Sequence, residues 1–262
     1  ARGARGAMIS DEEMQKTWER SHEIGSPNYH LRTRLLRRLI PRDGKGLKAL
    51  DAGCSTGGAT RILLECGYEV CGIDLSPYAV ERIEQTLPPE QRKRFVGVVS
   101  DLSAYRPGFR YDLIVLSEVL EHIEDDAGAL RRVEEWLSAD GKVVITVPAD
   151  PTLWSDADIF SKHYRRYTPE HLMNLIEKSG LRAEAFWPYG FPVLWTYTRL
   201  KNRLFRVGTL DRVARARTGA GGVRTAASVL KFLVNIDRLF VGHGRPVGLM
   251  ALAVKRQQGR RG

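Results

Sequence analysis

The sequence has few cysteines. Its 262 residues include only three, Cys54, Cys66 and Cys71, all within one short stretch. An odd number of thiols without metal-ligand spacing argues against a disulfide framework and against a cysteine-held zinc site. We therefore expect reduced, small interior residues in a cytoplasmic protein.

Long apolar runs are also absent. No segment reaches the roughly 20 apolar residues that cross a bilayer, and the chain does not open with the pattern of a signal peptide. Residues 1–7, which precede Met8, are built from Ala, Arg and Gly. We expect them to be unstructured, and the sequence leaves open whether they are native. The length suits one α/β domain that carries an insertion.

Acidic residues are too few to balance the basic ones. The chain has 41 Lys and Arg against 31 Asp and Glu, a formal net charge of +10. Residues 190–246 alone contain eleven Arg or Lys against two Asp, and residues 255–262 add four more basic residues. Because the rest is near neutral or acidic, the basic part is expected to serve a partner or substrate rather than a cofactor.

The most informative segment is 49–58, Ala-Leu-Asp-Ala-Gly-Cys-Ser-Thr-Gly-Gly. It predicts a strand, a glycine turn and a helix start, an arrangement that brings backbone N–H groups toward a ligand. About twenty residues after Gly53, Asp74 closes the next apolar run. A nucleotide-binding fold places a ribose-binding carboxylate there. Asp101 closes a third run.

The glycine turn does not fit a dinucleotide. Ser55 stands where the middle glycine is expected, and Asp51 precedes the turn. A pyrophosphate needs a glycine in place of Ser55 so that it can approach the backbone, and the carboxylate of Asp51 would repel it. Asp51 is acceptable beside a ligand that carries an ammonium or sulfonium group.

Four motifs follow one another in a familiar order, at 50–57, 72–76, 101–102 and 111–115. Together they resemble the class I S-adenosylmethionine-dependent methyltransferases. The resemblance spans roughly residues 45–188, with a last strand near 247–255. Most members have glycine where Ser55 stands, a departure that would alter the geometry of the turn.

The resemblance implies an α/β fold, a doubly wound, seven-stranded and mostly parallel sheet of the Rossmann-like methyltransferase type. Family members turn directly from strand six into strand seven, whereas about 56 residues intervene here. We therefore predict an N-terminal helical segment at 1–44, a cofactor-binding core at 45–189, a basic helical insertion at 190–246, and the last strand with a basic tail at 247–262.

Hydrophobic periodicity predicts the elements. Helices are expected within 10–40, beginning at the acidic turn after Ser10 and including a basic amphipathic helix at 31–40. Further helices are expected at 59–66, from Pro77, at 126–138, 168–179, 191–205 and 226–240. Strands are expected at 47–52, 68–74, 94–99, 111–117, 142–147, 182–188 and 248–254. Asp140 and Gly141 are expected to form a turn before strand five.

By resemblance, S-adenosylmethionine lies across the carboxyl ends of strands one, two and four, and S-adenosylhomocysteine is the product. Asp51 would hold the ammonium group, Asp74 the ribose hydroxyls and Asp101 the adenine amino group. The other cofactor contacts implied are Gly53, Cys54, Ser55, Gly57, Leu75, Leu102, Ser117 and Glu118. The alternative for an aspartate at a strand end is a capping role in a turn. No metal is expected.

Two histidines are candidates for the base that removes a proton from the acceptor. His122 follows strand four in a Glu-His pair, and His163 lies in the loop after strand five. Because imidazole titrates near neutral pH, either could act in an in-line methyl transfer. The alternative for His122 is packing at the edge of the sheet.

The loop at 154–168 is dense in aromatic, imidazole and guanidinium groups, which suit a substrate pocket. The candidates for acceptor contact there are Trp154, Tyr164, Arg165 and Arg166. Alternatively, Arg166 and Tyr167 anchor the following helix while Asp156 or Asp158 pairs with an arginine. Two further candidates, after an N-terminal helix, are Tyr29 and His30.

The sequence thus predicts a methyltransferase acting on an oxygen or nitrogen of a small molecule, with bacterial secondary metabolism as the setting. One alternative is a lipid-linked acceptor, with the aromatic and basic segment 191–201 lying on an anionic membrane surface. The other interpretations of this segment are packing on the core, as a lid, and a homodimer contact. RNA is less favoured, because the chain lacks an Asn/Asp-Pro-Pro-aromatic tetrapeptide after strand four and a cysteine near strands four to six. A non-catalytic partner subunit is the third class.

Overall fold

The structure of the chain is a computed structural model that describes residues 26–204, 229–230 and 232–256. The helix expected after Ser10, the unstructured start, much of the basic insertion and the end of the basic tail lie outside the described residues. Among the helices that are described, none combines the length and the apolar character needed to span a bilayer.

Seven strands form one sheet in the order β3-β2-β1-β4-β5-β7-β6. Strands β1 to β5 pair in parallel, and β7 runs antiparallel to both β5 and β6. This confirms the predicted fold class. The strands are β1 (Lys48–Ala52), β2 (Glu69–Asp74), β3 (Phe95–Val99), β4 (Tyr111–Ser117), β5 (Leu137–Pro148), β6 (Leu181–Tyr189) and β7 (Gly248–Lys255).

Helices and short 3₁₀ turns connect the strands. The helices are α1 (Pro27–Leu39), α2 (Gly58–Glu65), α3 (Pro77–Thr86), α4 (Pro89–Arg92), α5 (Asp126–Trp136), α6 (Asp156–Phe160), α7 (Pro169–Lys178) and α8 (Val193–Leu204). The 3₁₀ turns are Leu120–His122, Pro151–Leu153 and Val234–Phe240. Helix α3 begins where predicted, because the hydroxyl of Ser76 accepts a hydrogen bond from the Ala79 N–H at 3.3 Å.

Hydrophobic residues are buried on both faces of the sheet. In β4, Leu113 packs in a cluster with α1 and α2, whereas the next residue, Ile114, packs in a second cluster with α5 and α7. Successive side chains of a strand point to opposite faces, so a parallel strand covered on both sides reads as a continuous apolar run. This explains why β4 was predictable from sequence.

Two local predictions are wrong. Helix α1 begins at Pro27 rather than at residue 31, since proline suits the first helical position, so Tyr29 and His30 lie inside this helix. Asp140 and Gly141 lie inside β5 rather than in a turn before it. The pairing of β5 with β4 shifts between Tyr111 and Leu113, and this irregularity accommodates them.

Part of the predicted insertion packs on the core. Helix α8 lies within the predicted helix 191–205, and its first N–H groups, those of Val193 and Leu194, each donate to the buried carboxylate of Asp237 at 2.8 Å. The second predicted helix, at 226–240, ends in the 3₁₀ turn that contains Asp237. The two described parts of the insertion are thereby joined at the start of α8.

Candidate functional site

A cavity of about 800 Å³ opens at the carboxyl ends of β1, β2 and β4. An open parallel sheet is expected to bind ligands at this position. The predicted cofactor contacts that line the cavity are Asp51, Gly53, Cys54, Ser55, Asp74, Leu75, Asp101, Leu102, Ser117 and Glu118. Gly57 is not part of the lining; it caps the start of α2 with a φ of 77°.

The glycine turn is held against β2 by its own backbone. The N–H groups of Gly53 and Cys54 both donate to the carbonyl of Ile73, at 2.8 and 3.0 Å, and the Gly57 N–H donates to the Cys54 carbonyl. These three N–H groups are therefore engaged within the protein, because the turn folds back onto the neighbouring strand. A turn with these donors engaged is a poor phosphate cradle.

Asp74 links the glycine turn to the start of α3. Its Oδ2 accepts the Ser55 N–H at 2.8 Å, and its Oδ1 accepts the Ser76 N–H at 2.9 Å. Burial raises the pKa of this carboxyl, and the two backbone donors oppose the shift. A carboxylate has about four lone-pair positions, so each oxygen retains capacity for a further donor from the cavity.

Asp51 is almost fully buried beneath the cavity. Its Oδ2 accepts the Thr60 hydroxyl at 2.6 Å. Burial raises the pKa of Asp51 to about 6, and the neighbouring charge of Asp74 adds to the shift. A buried carboxylate of this kind is stabilised by a positively charged ligand group and would oppose an anionic one.

Asp101 has the capping role that the sequence left open. Its Oδ1 accepts the backbone N–H groups of Ser103 at 2.6 Å and Ala104 at 2.7 Å. The hydrogen bonds from Ser103 and Ala104 lower the pKa of Asp101. The residue lines the cavity beside Leu102, so the capping role does not remove it from the site.

Helix α1 forms a wall of the cavity that the sequence reasoning did not identify. Arg32 donates from its guanidinium to Glu118 Oε2 at 2.9 Å, and Glu118 Oε1 accepts the Thr146 hydroxyl at 3.0 Å. Glu118 adopts a left-handed backbone, with φ 59°, which is uncommon outside glycine. Tyr29 also lines the cavity, whereas His30 does not. The sequence feature that could have indicated Arg32 is its place beside the leucines of a basic amphipathic helix.

The two predicted histidines meet in the part of the cavity lining that follows β4. The rings of His122 and His163 lie edge to face, with centroids 4.6 Å apart. His163 Nδ1 lies 3.0 Å from Asp158 Oδ1. Burial lowers the pKa of His122 to about 4, and His163 adds to the shift, so His122 is neutral at physiological pH.

The two arginines predicted to contact the acceptor are engaged elsewhere. Arg166 donates through Nε to Asp158 at 2.9 Å, and Arg165 pairs with Asp126 at 2.6 Å. Burial disfavours the charge of Asp158, but the hydrogen bond from His163 and the charge of Arg166 outweigh it and lower the pKa to about 2. This ion pair agrees with the alternative that Arg166 has a structural role and is paired with Asp158 rather than contacting the acceptor. Neither arginine lines the cavity.

Of the two remaining candidates in the loop, only one lines the cavity. Tyr164 lines the cavity and is 54% exposed, whereas Trp154 lies outside it. Glu121, which sequence reasoning passed over although it precedes His122, also lines the cavity and is fully buried. A Glu-His dipeptide in the sequence does not predict that the glutamate is buried beside two histidines.

Comparisons with known proteins identify methyltransferases as relatives of this chain. A family model described as a methyltransferase domain matches residues 22–185. A ubiquinone biosynthesis O-methyltransferase from Cereibacter sphaeroides is 30% identical over 195 residues, 68% of this chain and 77% of that protein. Another from Sodalis glossinidius is 26% identical over 211 residues, 74% of this chain and 82% of that protein.

Solved structures show the same fold. An S-adenosylmethionine-dependent methyltransferase from Mesorhizobium loti has a TM-score of 0.58 at 20% identity, covering 88% of this chain and 99% of that chain. The glycopeptide N-methyltransferase MtfA complexed with S-adenosylmethionine has a TM-score of 0.53 at 17% identity, covering 86% and 87%.

Proposed function

The chain belongs to the class I S-adenosylmethionine-dependent methyltransferases, and on that premise we propose how its cavity is divided between donor and acceptor. The activity is methyl transfer from S-adenosylmethionine to an oxygen or nitrogen of a small molecule. The observation that carries the division is position: the aspartates Asp51 and Asp74 lie in β1 and β2, at what we call the carboxylate end, whereas His122 follows β4 and meets His163 at the imidazole end.

The donor occupies the carboxylate end. Asp51 is buried and favours the cationic part of S-adenosylmethionine, and Asp74 has acceptor capacity for the ribose hydroxyls. Asp101 and Leu102 are assigned to the adenine. With the ribose on Asp74, the reactive methyl group is directed toward the imidazoles.

The acceptor occupies the imidazole end. Asp158 holds Nδ1 of His163, so Nε2 is the nitrogen available to take a proton from the acceptor, while His122 and Tyr164 flank the bound molecule. Methyl transfer requires the nucleophile about 3–3.5 Å from the methyl carbon and in line with the departing sulfur. The curated relatives are named O-methyltransferases, which favours a hydroxylated acceptor.

A panel assay with methyl-labelled S-adenosylmethionine tests this assignment. Phenols, catechols and amines are screened with the wild-type chain, and the best acceptor is then used with His163→Gln and with His243→Gln, a histidine outside the cavity. We expect the first variant to lose at least tenfold in turnover with unchanged affinity for S-adenosylhomocysteine, and the second to behave as wild type. Equal turnover in all three proteins would contradict the role of His163.

A second candidate concerns where the acceptor resides. Phe232 and Leu239 are 75% and 81% exposed, and Leu200 is 55% exposed, in a segment with a large excess of basic residues. The guanidinium groups of Arg199 and Arg245 lie 5.2 and 5.5 Å from the ring of Trp195. Exposed apolar residues among basic ones suit an anionic membrane surface and thus a lipid-linked acceptor.

Vesicle sedimentation tests the membrane candidate. We expect the chain to sediment with vesicles that contain phosphatidylglycerol and not with vesicles of pure phosphatidylcholine. The double variant Phe232→Ser/Leu239→Ser should no longer sediment with either kind of vesicle. Size-exclusion chromatography of the same proteins tests the homodimer alternative. A dimer that the double variant converts to a monomer, without vesicle binding by either protein, would assign this surface to self-association instead.

A further inference from the structure

Three potential metal ligands come together at the imidazole end of the cavity. Glu121, His122 and His163 each offer a donor atom, and these atoms lie within 4.8 Å of one another. Glu121 and His122 belong to the 3₁₀ turn after β4, and His163 comes from the loop after α6. All three residues line the cavity.

Glu121 is a buried carboxylate without a compensating partner. Both its oxygens are inaccessible, and neither has a hydrogen-bond partner among the residues that the structure describes. The charges of Arg32 and Arg166 act on Glu121, but both arginines are paired elsewhere, Arg32 with Glu118 and Arg166 with Asp158. A buried charge normally has a partner or coordinates a metal ion, and otherwise it is neutralised by protonation.

Both histidines have one ring nitrogen oriented by an acceptor. Nδ1 of His163 is held by Asp158, itself fixed as a carboxylate by Arg166. The His122 ring is hydrogen-bonded to the backbone at Ser161. Metal-bound histidines are commonly oriented in this way, with the second ring nitrogen donating to a carboxylate or a backbone carbonyl. The arrangement leaves His163 Nε2 for coordination.

We propose that Glu121, His122 and His163 form a binding site for a divalent transition-metal ion, with its open coordination positions in the cavity. Two imidazoles and one carboxylate suit Zn²⁺, Co²⁺ or Fe²⁺ better than Mg²⁺ or Ca²⁺, which prefer oxygen ligands. Tetrahedral ligands about 2.0–2.1 Å from zinc lie about 3.4 Å apart, and the donor atoms here lie within 4.8 Å of one another, so binding requires them to approach by at most about 1.4 Å.

The proposed site departs from the expectation, drawn from sequence, that no metal takes part. The ion neutralises Glu121, and its open positions are available to an oxygen of the acceptor; that second statement rests on the proposed function. Coordination and proton uptake both need Nε2 of His163. In the metal-loaded protein Nε2 of His163 would hold the ion, and the ion would orient the acceptor oxygen. The proton uptake assigned to His163 under the proposed function therefore belongs to the metal-free protein.

Cobalt binding tests the site, because Co²⁺ reports its ligands in its absorption spectrum. The full chain, untagged and stripped with a chelator, is titrated with Co²⁺ alone. We expect one equivalent to bind, with visible bands of four- or five-coordinate Co²⁺ and without a thiolate charge-transfer band. Glu121→Gln and His163→Gln should each weaken binding at least tenfold, and the matched control His243→Gln should bind as wild type.

Calorimetry with S-adenosylhomocysteine on the same samples shows that each variant is folded. Normal binding of this nucleoside with lost Co²⁺ binding in the Glu121 and His163 variants supports the site. The proposal is overturned by the lack of a bound equivalent in the wild-type chain, by a thiolate band, or by equal affinity in the variants. A chain that binds the nucleoside but no Co²⁺ leaves the methyltransferase assignment intact.

Discussion

The replacement of Asp74 by alanine is the most informative perturbation of the donor end. Each carboxylate oxygen accepts one backbone N–H, from Ser55 and from Ser76, and retains a lone pair for the cavity. A hydrogen bond to a charged group contributes about 1.5–3 kcal/mol, so the loss of one ribose contact weakens binding roughly 10- to 150-fold. We therefore expect Asp74→Ala to raise the Kd for S-adenosylhomocysteine at least tenfold, measured by calorimetry.

The same substitution also leaves two backbone N–H groups without their acceptor, so a lower affinity alone does not prove ribose contact. A deoxy analogue of S-adenosylhomocysteine, lacking the ribose hydroxyls, separates the two effects. Wild type should bind the analogue more weakly than the natural nucleoside, whereas Asp74→Ala should bind both equally. Asp140→Asn, an exposed carboxylate in β5, is the control. A folded Asp74→Ala protein that still discriminates between the two nucleosides would refute the assignment.

Three further outcomes are expected. Because the folded-state pKa of Asp51 is raised to about 6, the native protein retains a proton that the unfolded chain has lost, so the free energy of unfolding should fall as pH rises from about 4 to 6. Asp51→Asn should remove this pH dependence in denaturant titrations, and an unchanged profile would contradict the assignment. Arg166→Met leaves the buried carboxylate of Asp158 without its cation and should cost about 3 kcal/mol in urea unfolding; a loss below 1 kcal/mol would mean that the pair is dispensable. Gly53→Ala should strain the turn, because φ is 78° and the added Cβ would lie 2.7 Å from the side chain of Val119, and calorimetry should find weaker cofactor binding than in wild type.

The parallel core could be predicted from sequence because local and global signals agree there. The apolar run of β4 and the cap at Ser76 each identify an element without knowledge of its neighbours. Asp51 and Asp74 could be assigned to the cavity because residues at the carboxyl ends of neighbouring parallel strands meet at one edge. The boundaries at 44–45 and 189–190 stay predictions.

The acceptor end could not be read in the same way. Arg165 and Arg166 carry the residue types of an anion site, but their roles depend on Asp126 and Asp158, whose positions come from the folding of the loop. Glu121 is distinguished only by burial, and Arg32 lines the cavity only because α1 packs against the core beside α2. Such pairings are tertiary, and a pattern of residue types along the chain does not specify them.

The most direct test of the central claim is a crystal structure of the chain with S-adenosylhomocysteine bound. We expect the ribose hydroxyls on Asp74, the ammonium group near Asp51 and the sulfur directed toward His122 and His163. A nucleoside bound outside this cavity, or one turned so that its sulfur lies away from the histidines, would contradict it.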